Sequence, residues 1–345
     1  MRAAIYNGLR DITLKHVPDP VIEQPTDAVV RIEASAVCGS DLWTYRGQGA
    51  APGTRIGHEF AGEVLAIGSA VEQVAVGDWV IVPFRFSCGQ CRYCRSGLQS
   101  SCSNGGFWGR DTPDAGQGEA ARIPFADGTL VKALPSGERP DSSLVPSLLA
   151  LSDVFSTGYH AAYSAHINPG DTVVVVGDGA VGLSAIQAAR LLGAGLVINA
   201  GSSHIDRNAL ASDCGADHIV TTRGEEAIEA IRTLTHGLMA DVVLECVGSS
   251  SSFATALDCA APGGTVSYVG LPHGVQVSPA ELFSRNITLT GGICPARRYI
   301  GGLLPLVLDN RVQAGVVFNN SYHLSSIAQA YQDMDQRVTV KAIIQ

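Results

Sequence analysis

The sequence lacks an uninterrupted apolar run long enough to cross a membrane. Its most apolar long segment, Val173–Ala200, is broken by Asp178, Gln187, Arg190 and several glycines. The N-terminal segment alternates charged and apolar residues, and it lacks the basic start, apolar run and cleavage site of a signal peptide. We therefore expect a cytoplasmic protein with no membrane partner.

An excess of positive charge is also missing. The net charge of −9 argues against nucleic acid and against an anionic membrane surface as partners. Charged residues make up 16% of the chain and hydrophobic residues 46%, so a sizeable core can be buried. The length of 345 residues predicts about two domains. The sequence contains no repeat, low-complexity tract or charge run.

Two patterns divide the sequence. Residues 1 to about 150 contain short β-branched runs such as Ala28–Ile32 between Gly, Pro and Asp signals, which predicts a mostly β domain. From about residue 154, strands alternate with helices, which predicts an α/β fold with a doubly wound parallel sheet. The predicted strands are Thr172–Val176, Gly195–Asn199, His218–Thr221, Asp241–Glu245, Thr265–Val269 and Ile287–Thr290. The predicted helices between them are Ala180–Leu192, Asp206–Cys214, Glu225–Thr235 and Ser252–Ala260, and a last strand is predicted at Val338–Ile344.

A glycine-rich turn follows the first strand of this sheet. Gly177, Gly179 and Gly182 form the pattern GxGxxG, with Ala180 and Val181 opening the next helix. In this context the pattern is typical of a dinucleotide site, because the glycines permit the turn, the approach of a pyrophosphate and close helix packing. The alternative is a tight turn without a ligand.

The end of the second strand has no carboxylate to hold a ribose 2′-hydroxyl, and the next acid, Asp206, falls in the following helix. Two hydroxyls and two basic side chains there can bind a 2′-phosphate, those of Ser202, Ser203, His204 and Arg207. We therefore predict a preference for NADP(H) over NAD(H). The alternative is that these residues only cap the helix.

Four of the nine cysteines are closely spaced: Cys88, Cys91, Cys94 and Cys102. In a reducing compartment such spacing indicates metal binding rather than disulfides. Four sulfurs can enclose one tetrahedral Zn²⁺ and leave no open position, so this zinc is predicted to be structural. Four unrelated buried thiols are the alternative.

A second group of candidate ligands is spread along the chain as Cys38, His58, Glu59 and Asp153. None is convincing alone, since Cys-Gly and His-Glu pairs are common. Three protein ligands with one open position are what a catalytic zinc requires. The sequence thus offers ligands for two zinc ions per chain.

Four motifs occur in one order. Residues 38–41 read CGSD, residues 57–71 follow GHE-x2-G-x5-G-x2-V, and the four-cysteine segment 88–102 and the glycine-rich turn come after them. Together they resemble the zinc-dependent alcohol dehydrogenases of the medium-chain dehydrogenase/reductase family over essentially the whole chain. The resemblance implies a GroES-like catalytic domain over 1–153 and 296–345, and a Rossmann domain over 154–295.

The resemblance also implies the ligands of the catalytic zinc, which would be Cys38, His58 and Asp153, with Glu59 as an alternate ligand. Many members of the family have a cysteine where this sequence has Asp153. The aspartate version resembles the branch that contains bacterial secondary-alcohol dehydrogenases.

Further roles follow from the same resemblance. Asp41 would orient His58 through its ring N–H, and the hydroxyl of Ser40 would touch the substrate oxygen and begin a proton relay. Relatives often have a histidine where this sequence has Trp43, so the outer relay is expected to differ. Lys341 falls where relatives often place a basic residue near the cofactor phosphates.

An apolar pocket is expected around the reacting atoms, and such a pocket favours ketones and secondary alcohols over polyols. Its expected lining is Trp43, Phe84, Phe107, Trp108, Leu271, Ile293 and Cys294. We predict zinc-dependent hydride transfer between NADP(H) and a secondary alcohol, a ketone or an aldehyde, by a homodimer or homotetramer. The alternatives are a sorbitol- or threonine-type dehydrogenase of polyols or amino alcohols, and a non-catalytic nucleotide-binding protein.

Overall fold

The computed structural model describes all 345 residues. Two compact units make up the chain: Met1–Asp153 together with Pro295–Gln345, and Val154–Cys294. Pro295 thus belongs to the first unit, one residue before the expected boundary. None of the helices combines the length and hydropathy that a bilayer crossing requires.

The strands, in chain order, are β1 (Arg2–Gly8), β2 (Asp11–His16), β3 (Ala28–Ala36), β4 (Thr54–Arg55), β5 (Glu59–Ile67), β6 (Trp79–Val82), β7 (Arg85–Phe86), β8 (Gly106–Phe107), β9 (Ala120–Ile123), β10 (Val131–Lys132), β11 (Thr172–Val176), β12 (Leu196–Ala200), β13 (His218–Val220), β14 (Ala240–Glu245), β15 (Ala260–Tyr268), β16 (Thr288–Gly291), β17 (Asn320–Tyr322) and β18 (Ala342–Ile344). The α-helices are α1 (Asp41–Tyr45), α2 (Arg92–Arg95), α3 (Ala126–Thr129), α4 (Val145–Ala150), α5 (Val154–Ser164), α6 (Ala180–Leu191), α7 (Ile205–Asp213), α8 (Glu225–Leu234), α9 (Ser250–Cys259), α10 (Pro279–Arg285), α11 (Ala296–Leu308) and α12 (Ile327–Asp335). Short 3-10 helices span Gln99–Ser101, Ala314–Val317 and Leu324–Ser326.

The first unit is mostly β, as predicted. Its largest sheet has the order β10-β6-β5-β3-β18-β17, with β9 also paired to β3. Strand β18 comes from the C-terminal segment and pairs with β3 through Ile343 opposite Ala36 and Ile344 opposite Ser35. The two segments of this unit therefore share one sheet.

The predicted last strand is too long, because β18 begins only at Ala342. The backbone N–H groups of Val340 and Lys341 donate to the side-chain oxygen of Asn319, at 2.9 and 3.3 Å, instead of joining a strand ladder. A side-chain acceptor from a distant loop is not visible in the local pattern of the sequence.

The second unit contains one sheet of six parallel strands in the order β13-β12-β11-β14-β15-β16. This is the strand order of a doubly wound dinucleotide-binding fold, with the order reversing at β11. The four valines of β11 are all buried, and successive side chains point to opposite faces, so both faces of this strand are covered. The predicted doubly wound sheet is confirmed.

Candidate active site

Four cysteine sulfurs meet in the segment between β7 and β8. The Sγ of Cys91 lies 3.5 Å from that of Cys94 and 3.8 Å from that of Cys102, which lies 3.4 Å from that of Cys88. Tetrahedral Zn–S bonds of about 2.3 Å place sulfurs about 3.8 Å apart. The predicted set of thiols therefore fits one enclosed zinc ion.

The chain turns tightly around these sulfurs. Gly89 and Gly97 adopt positive φ angles of 71° and 81°, which glycine accepts without steric conflict. Backbone N–H groups of Cys94 and Ser103 lower the pKa of Cys91 to about 6. The thiolate, which is the metal-binding form, is thus available at neutral pH.

The second predicted group of ligands also comes together, with one ligand atom each from Cys38, His58, Glu59 and Asp153 within 4.8 Å of one another. The Oδ2 of Asp153 lies 3.3 Å from Nε2 of His58 and 3.6 Å from Sγ of Cys38. Tetrahedral zinc bonds of about 2.0–2.3 Å separate ligand atoms by about 3.3–3.8 Å. These three side chains have the spacing that one zinc ion requires.

Negative charge is concentrated in this buried group. Burial raises the pKa of the Cys38 thiol, and Asp153 and Glu59 raise it further. Burial also raises the pKa of Glu59, although the ammonium of Lys341 opposes that rise. Buried acids repel one another unless a cation neutralises them, so the charges favour a bound divalent metal.

Asp41 and Ser40 both lie beside His58. The Oδ1 of Asp41 is 3.1 Å from Nδ1 of His58, and its charge raises the pKa of the imidazole, against the effect of burial. The Oγ of Ser40 is 3.5 Å from Nε2 of the same ring. Asp41 therefore faces one ring nitrogen, while the other faces Asp153 and Ser40.

Lys341 lies behind the ligand group and is only 1% exposed. Its ammonium donates to Oε1 of Glu59 at 2.6 Å and to the carbonyl of Val37 at 3.2 Å. The sequence pointed instead to a role at the cofactor phosphates, and that contact stays a prediction. The ion pair holds Glu59, the proposed alternate ligand.

Two phenyl rings lie close to the imidazole of His58. The ring centroid of Phe107 is 4.8 Å from that of His58, and the centroid of Phe84 is 6.4 Å away. Trp43, which is also predicted to line the pocket, is half-buried on α1. The imidazole is thus bordered by apolar surface on the side of these phenyl rings.

Trp108 does not line this space. Its ring packs between Phe60 and Phe86, with centroid separations of 5.2 and 5.3 Å, and its indole N–H donates to the carbonyl of Pro83 at 2.9 Å. The prediction for Trp108 is wrong, because neighbouring residues of an extended segment point in opposite directions and Phe107 takes the side facing His58.

Cys294 and Ile293 end the second unit. The Cys294 thiol is buried and donates to the carbonyl of Ser156 at 3.2 Å, inside that unit. That Cys294 lines the pocket stays a prediction. Ile293 is 58% exposed, and its place in a pocket stays a prediction.

The glycine-rich turn has the backbone geometry that a dinucleotide needs. Gly177 has a φ of 121°, and a Cβ on Gly182 would lie 2.2 Å from the Gly177 carbonyl oxygen. Apart from Gly179 itself and its chain neighbours, no atom lies within 4 Å of the Cβ position of Gly179, which precedes Ala180 and Val181 at the start of α6. Gly182 thus lets α6 pack on the turn, and Gly179 leaves the backbone open to a ligand.

A carboxylate does reach the end of β12. Asp178 accepts a hydrogen bond from the Ser202 hydroxyl, and Nη1 of Arg207 lies 3.1 Å from the Asp178 carbonyl oxygen and 3.7 Å from its Oδ1. The expectation that no acid is available there is wrong, because Asp178 follows the adjacent strand β11 and parallel strands end at one edge. Asp178, Ser202 and Arg207 are buried, whereas Ser203 and His204 are exposed.

The chain matches the family models for the alcohol dehydrogenase GroES-like domain over residues 24–135 and for zinc-binding dehydrogenase over 180–309. It is 34% identical over 342 residues to zinc-type alcohol dehydrogenase B of Aspergillus flavus, covering 96% of this chain and 78% of that protein. It is 34% identical over 282 residues to sorbitol dehydrogenase of Bacillus subtilis, covering 79% of this chain and 75% of that protein. The solved alcohol dehydrogenase TADH from Thermus sp. ATN1 superposes with a TM-score of 0.91 at 31% identity, covering 100% of this chain and 99% of that one.

Proposed function

Since the chain belongs to the zinc-dependent alcohol dehydrogenases of the medium-chain dehydrogenase/reductase family, we propose that it interconverts secondary alcohols and ketones with NADP(H). Family membership gives the oxidoreductase class. One observation carries the proposal for the site: Cys38, His58 and Asp153 converge at zinc-binding distances, beside the hydroxyl of Ser40 and two phenyl rings.

A bound zinc supplies Lewis-acid polarisation of the substrate oxygen, and the nicotinamide carries the hydride. Cys38, His58 and Asp153 would hold the metal. Asp41 favours the proton on Nδ1 of His58 and so leaves Nε2 free to bind it. Lys341 neutralises Glu59 and keeps that carboxylate beside the three ligands.

Ser40 handles the proton. Its hydroxyl lies on the Nε2 side of His58, where it can accept the proton of an alcohol or return one to a carbonyl oxygen. Trp43 occupies the position at which relatives often continue the relay with histidine. The proton therefore passes from Ser40 to water or to a ribose hydroxyl of the cofactor.

The substrate class follows from the rings around the imidazole. Phe84 and Phe107 offer apolar surface beside His58 and no partner for additional hydroxyl groups. This supports a hydrophobic ketone over a polyol. The 34% sequence identity with sorbitol dehydrogenase favours a second candidate function, that of a polyol dehydrogenase. A polyol dehydrogenase would need hydrogen-bonding groups around the same site.

The NADP(H) preference rests on the end of β12. Ser203 and His204 are exposed there, and Arg207 supplies a guanidinium. Asp178 opposes this preference, because its charge repels a 2′-phosphate and it contacts both Ser202 and Arg207. We propose that the hydroxyls and basic groups outweigh this single carboxylate.

The test is the initial rate of NADPH and of NADH oxidation with an aryl methyl ketone, measured beside sorbitol oxidation with both oxidised cofactors. Faster turnover of the ketone with NADPH is expected. Equal or faster turnover with NADH would overturn the cofactor preference and keep the enzyme class. Turnover of sorbitol without ketone reduction would favour the polyol dehydrogenase.

A further inference from the structure

We propose that Gln117 and Tyr331 are positioning residues for the catalytic metal centre, acting through Asp41 on His58. The inference rests on the zinc site proposed above. It concerns a buried chain of hydrogen bonds within the first unit that begins on α12 and ends at Asp41, whose carboxylate faces the imidazole.

The outer part of this chain joins Tyr331 to Gln117. The Tyr331 side chain is fully buried, and its hydroxyl is 2.8 Å from Oε1 of Gln117. The Nε2 of Gln117 donates to the carbonyl of Ala36 at 3.0 Å and to Oδ2 of Asp41 at 3.3 Å. A carbonyl and a carboxylate only accept hydrogen bonds, so the amide has one possible orientation and Tyr331 must be the donor.

The inner part passes through Asp41. Its Oδ2 accepts hydrogen bonds from Gln117 and from the backbone N–H of Cys38, the latter at 2.9 Å. Its Oδ1 faces Nδ1 of His58 at 3.1 Å. Two donors on one oxygen fix the rotation of the carboxylate and therefore the place of the other oxygen. Asp41 thus connects the positions of two proposed zinc ligands.

Gln117 is also joined to the backbone that carries His58. Its N–H donates to the carbonyl of Ile56 at 3.1 Å, and the N–H of Gly116 donates to the carbonyl of Gly57 at 2.7 Å. A Cβ on Gly57 would lie 2.4 Å from Cγ of Gln117. Gly57, just before His58, therefore makes room for the Gln117 side chain.

The surroundings of Tyr331 show why its hydroxyl matters. The residue belongs to a cluster of buried, mostly apolar side chains that includes Ile327, Ala330 and Met334. A phenylalanine would fill the same space, but it would leave Oε1 of Gln117 without this donor. A buried acceptor without a partner is destabilising, so we expect the Gln117 side chain to shift and its contact with Asp41 to weaken.

Tyr331→Phe is the first test, with Tyr45→Phe as the matched control. Tyr45 lies in the same cluster, with its ring centroid 5.4 Å from that of Tyr331, and its hydroxyl is outside the chain of hydrogen bonds. Chelator competition followed by zinc analysis measures the affinity of each site. Tyr331→Phe should lower affinity at the His58 site by about tenfold, while the four-cysteine site and Tyr45→Phe keep wild-type affinity.

Gln117→Glu is the second test, because it keeps the shape and replaces the donating amide by an acceptor facing Asp41. Its loss of affinity should exceed that of Tyr331→Phe, and cobalt placed at the His58 site should show an altered visible absorption spectrum in both variants. Wild-type affinity and spectrum in Tyr331→Phe would overturn the proposal, and this variant decides alone if Gln117→Glu does not fold. A wild-type chain that binds zinc only at the four cysteines would overturn the metal centre itself, and this inference with it.

Discussion

The Ser40 hydroxyl lies on the metal-binding side of the imidazole, 3.5 Å from Nε2 of His58. Ser40→Ala should lower kcat by about a hundredfold, since the alcohol proton loses its first acceptor. Zinc content and thermal stability should not change, because the hydroxyl makes no helix cap. Steady-state kinetics beside zinc analysis measure this, with Ser40→Thr as the variant that keeps the hydroxyl. An unaffected kcat would remove Ser40 from the relay.

We expect Asp178 to influence the choice of cofactor, because its carboxylate contacts Ser202 at the end of β12. Asp178→Asn removes the charge that repels a 2′-phosphate and leaves an oxygen for Ser202 and Arg207. The ratio of kcat/KM for NADPH over NADH should rise about tenfold, as expected when a guanidinium gains a charged partner. A ratio that stays constant while both efficiencies fall would show a purely structural role for Asp178.

At the scale of elements, we expect the four-cysteine segment between β7 and β8 to depend on a bound zinc ion. Cys91→Ser should release that zinc and lower the free energy of unfolding by about 3 kcal/mol or more. Thermal unfolding and zinc analysis are the measurements, with Cys246→Ser as a cysteine replacement outside the segment. A stable Cys91→Ser protein that keeps zinc at both sites would contradict the structural assignment.

Regular elements with strong local patterns could be predicted from the sequence. Strand β11 has the predicted bounds, and α6 ends one residue before the predicted end. Both elements are specified by local signals, since a β-branched run forms the strand and a glycine-rich turn precedes the helix. The two-residue strands β4 and β7 were not predicted, since they exist only through pairing with β1 and β8.

In the candidate site, too, features specified by local sequence could be predicted and features that depend on distant contacts could not. The four cysteines of the segment 88–102 are close in sequence, so their convergence could be predicted from their spacing alone. The contacts of Asp178 could not be predicted, because its partner Ser202 follows an adjacent strand. Those of Trp108 could not be predicted, because Trp108 and Phe107 point to opposite sides of one extended segment. Tyr331 and Gln117 carry no local motif, and only the packing of α12 brings their side chains together.

At the scale of the whole molecule, the two units differ in how the chain builds them. Residues 154–294 are continuous, whereas the first unit needs β18 and α12 from the C-terminal segment. We expect residues 154–294 expressed alone to fold and bind NADPH, and residues 1–153 alone to stay unfolded. Circular dichroism and nucleotide titration measure this. Cooperative unfolding of residues 1–153 alone would contradict the expectation.

The central claim is that Cys38, His58 and Asp153 hold the zinc at which hydride transfer takes place. Zinc content and NADPH-dependent ketone reduction, measured together on the wild type and on Asp153→Ala, test it most directly. The account predicts that the variant keeps the zinc of the four cysteines, loses the other, and falls to background activity. A variant with both zinc ions bound and wild-type activity would contradict it.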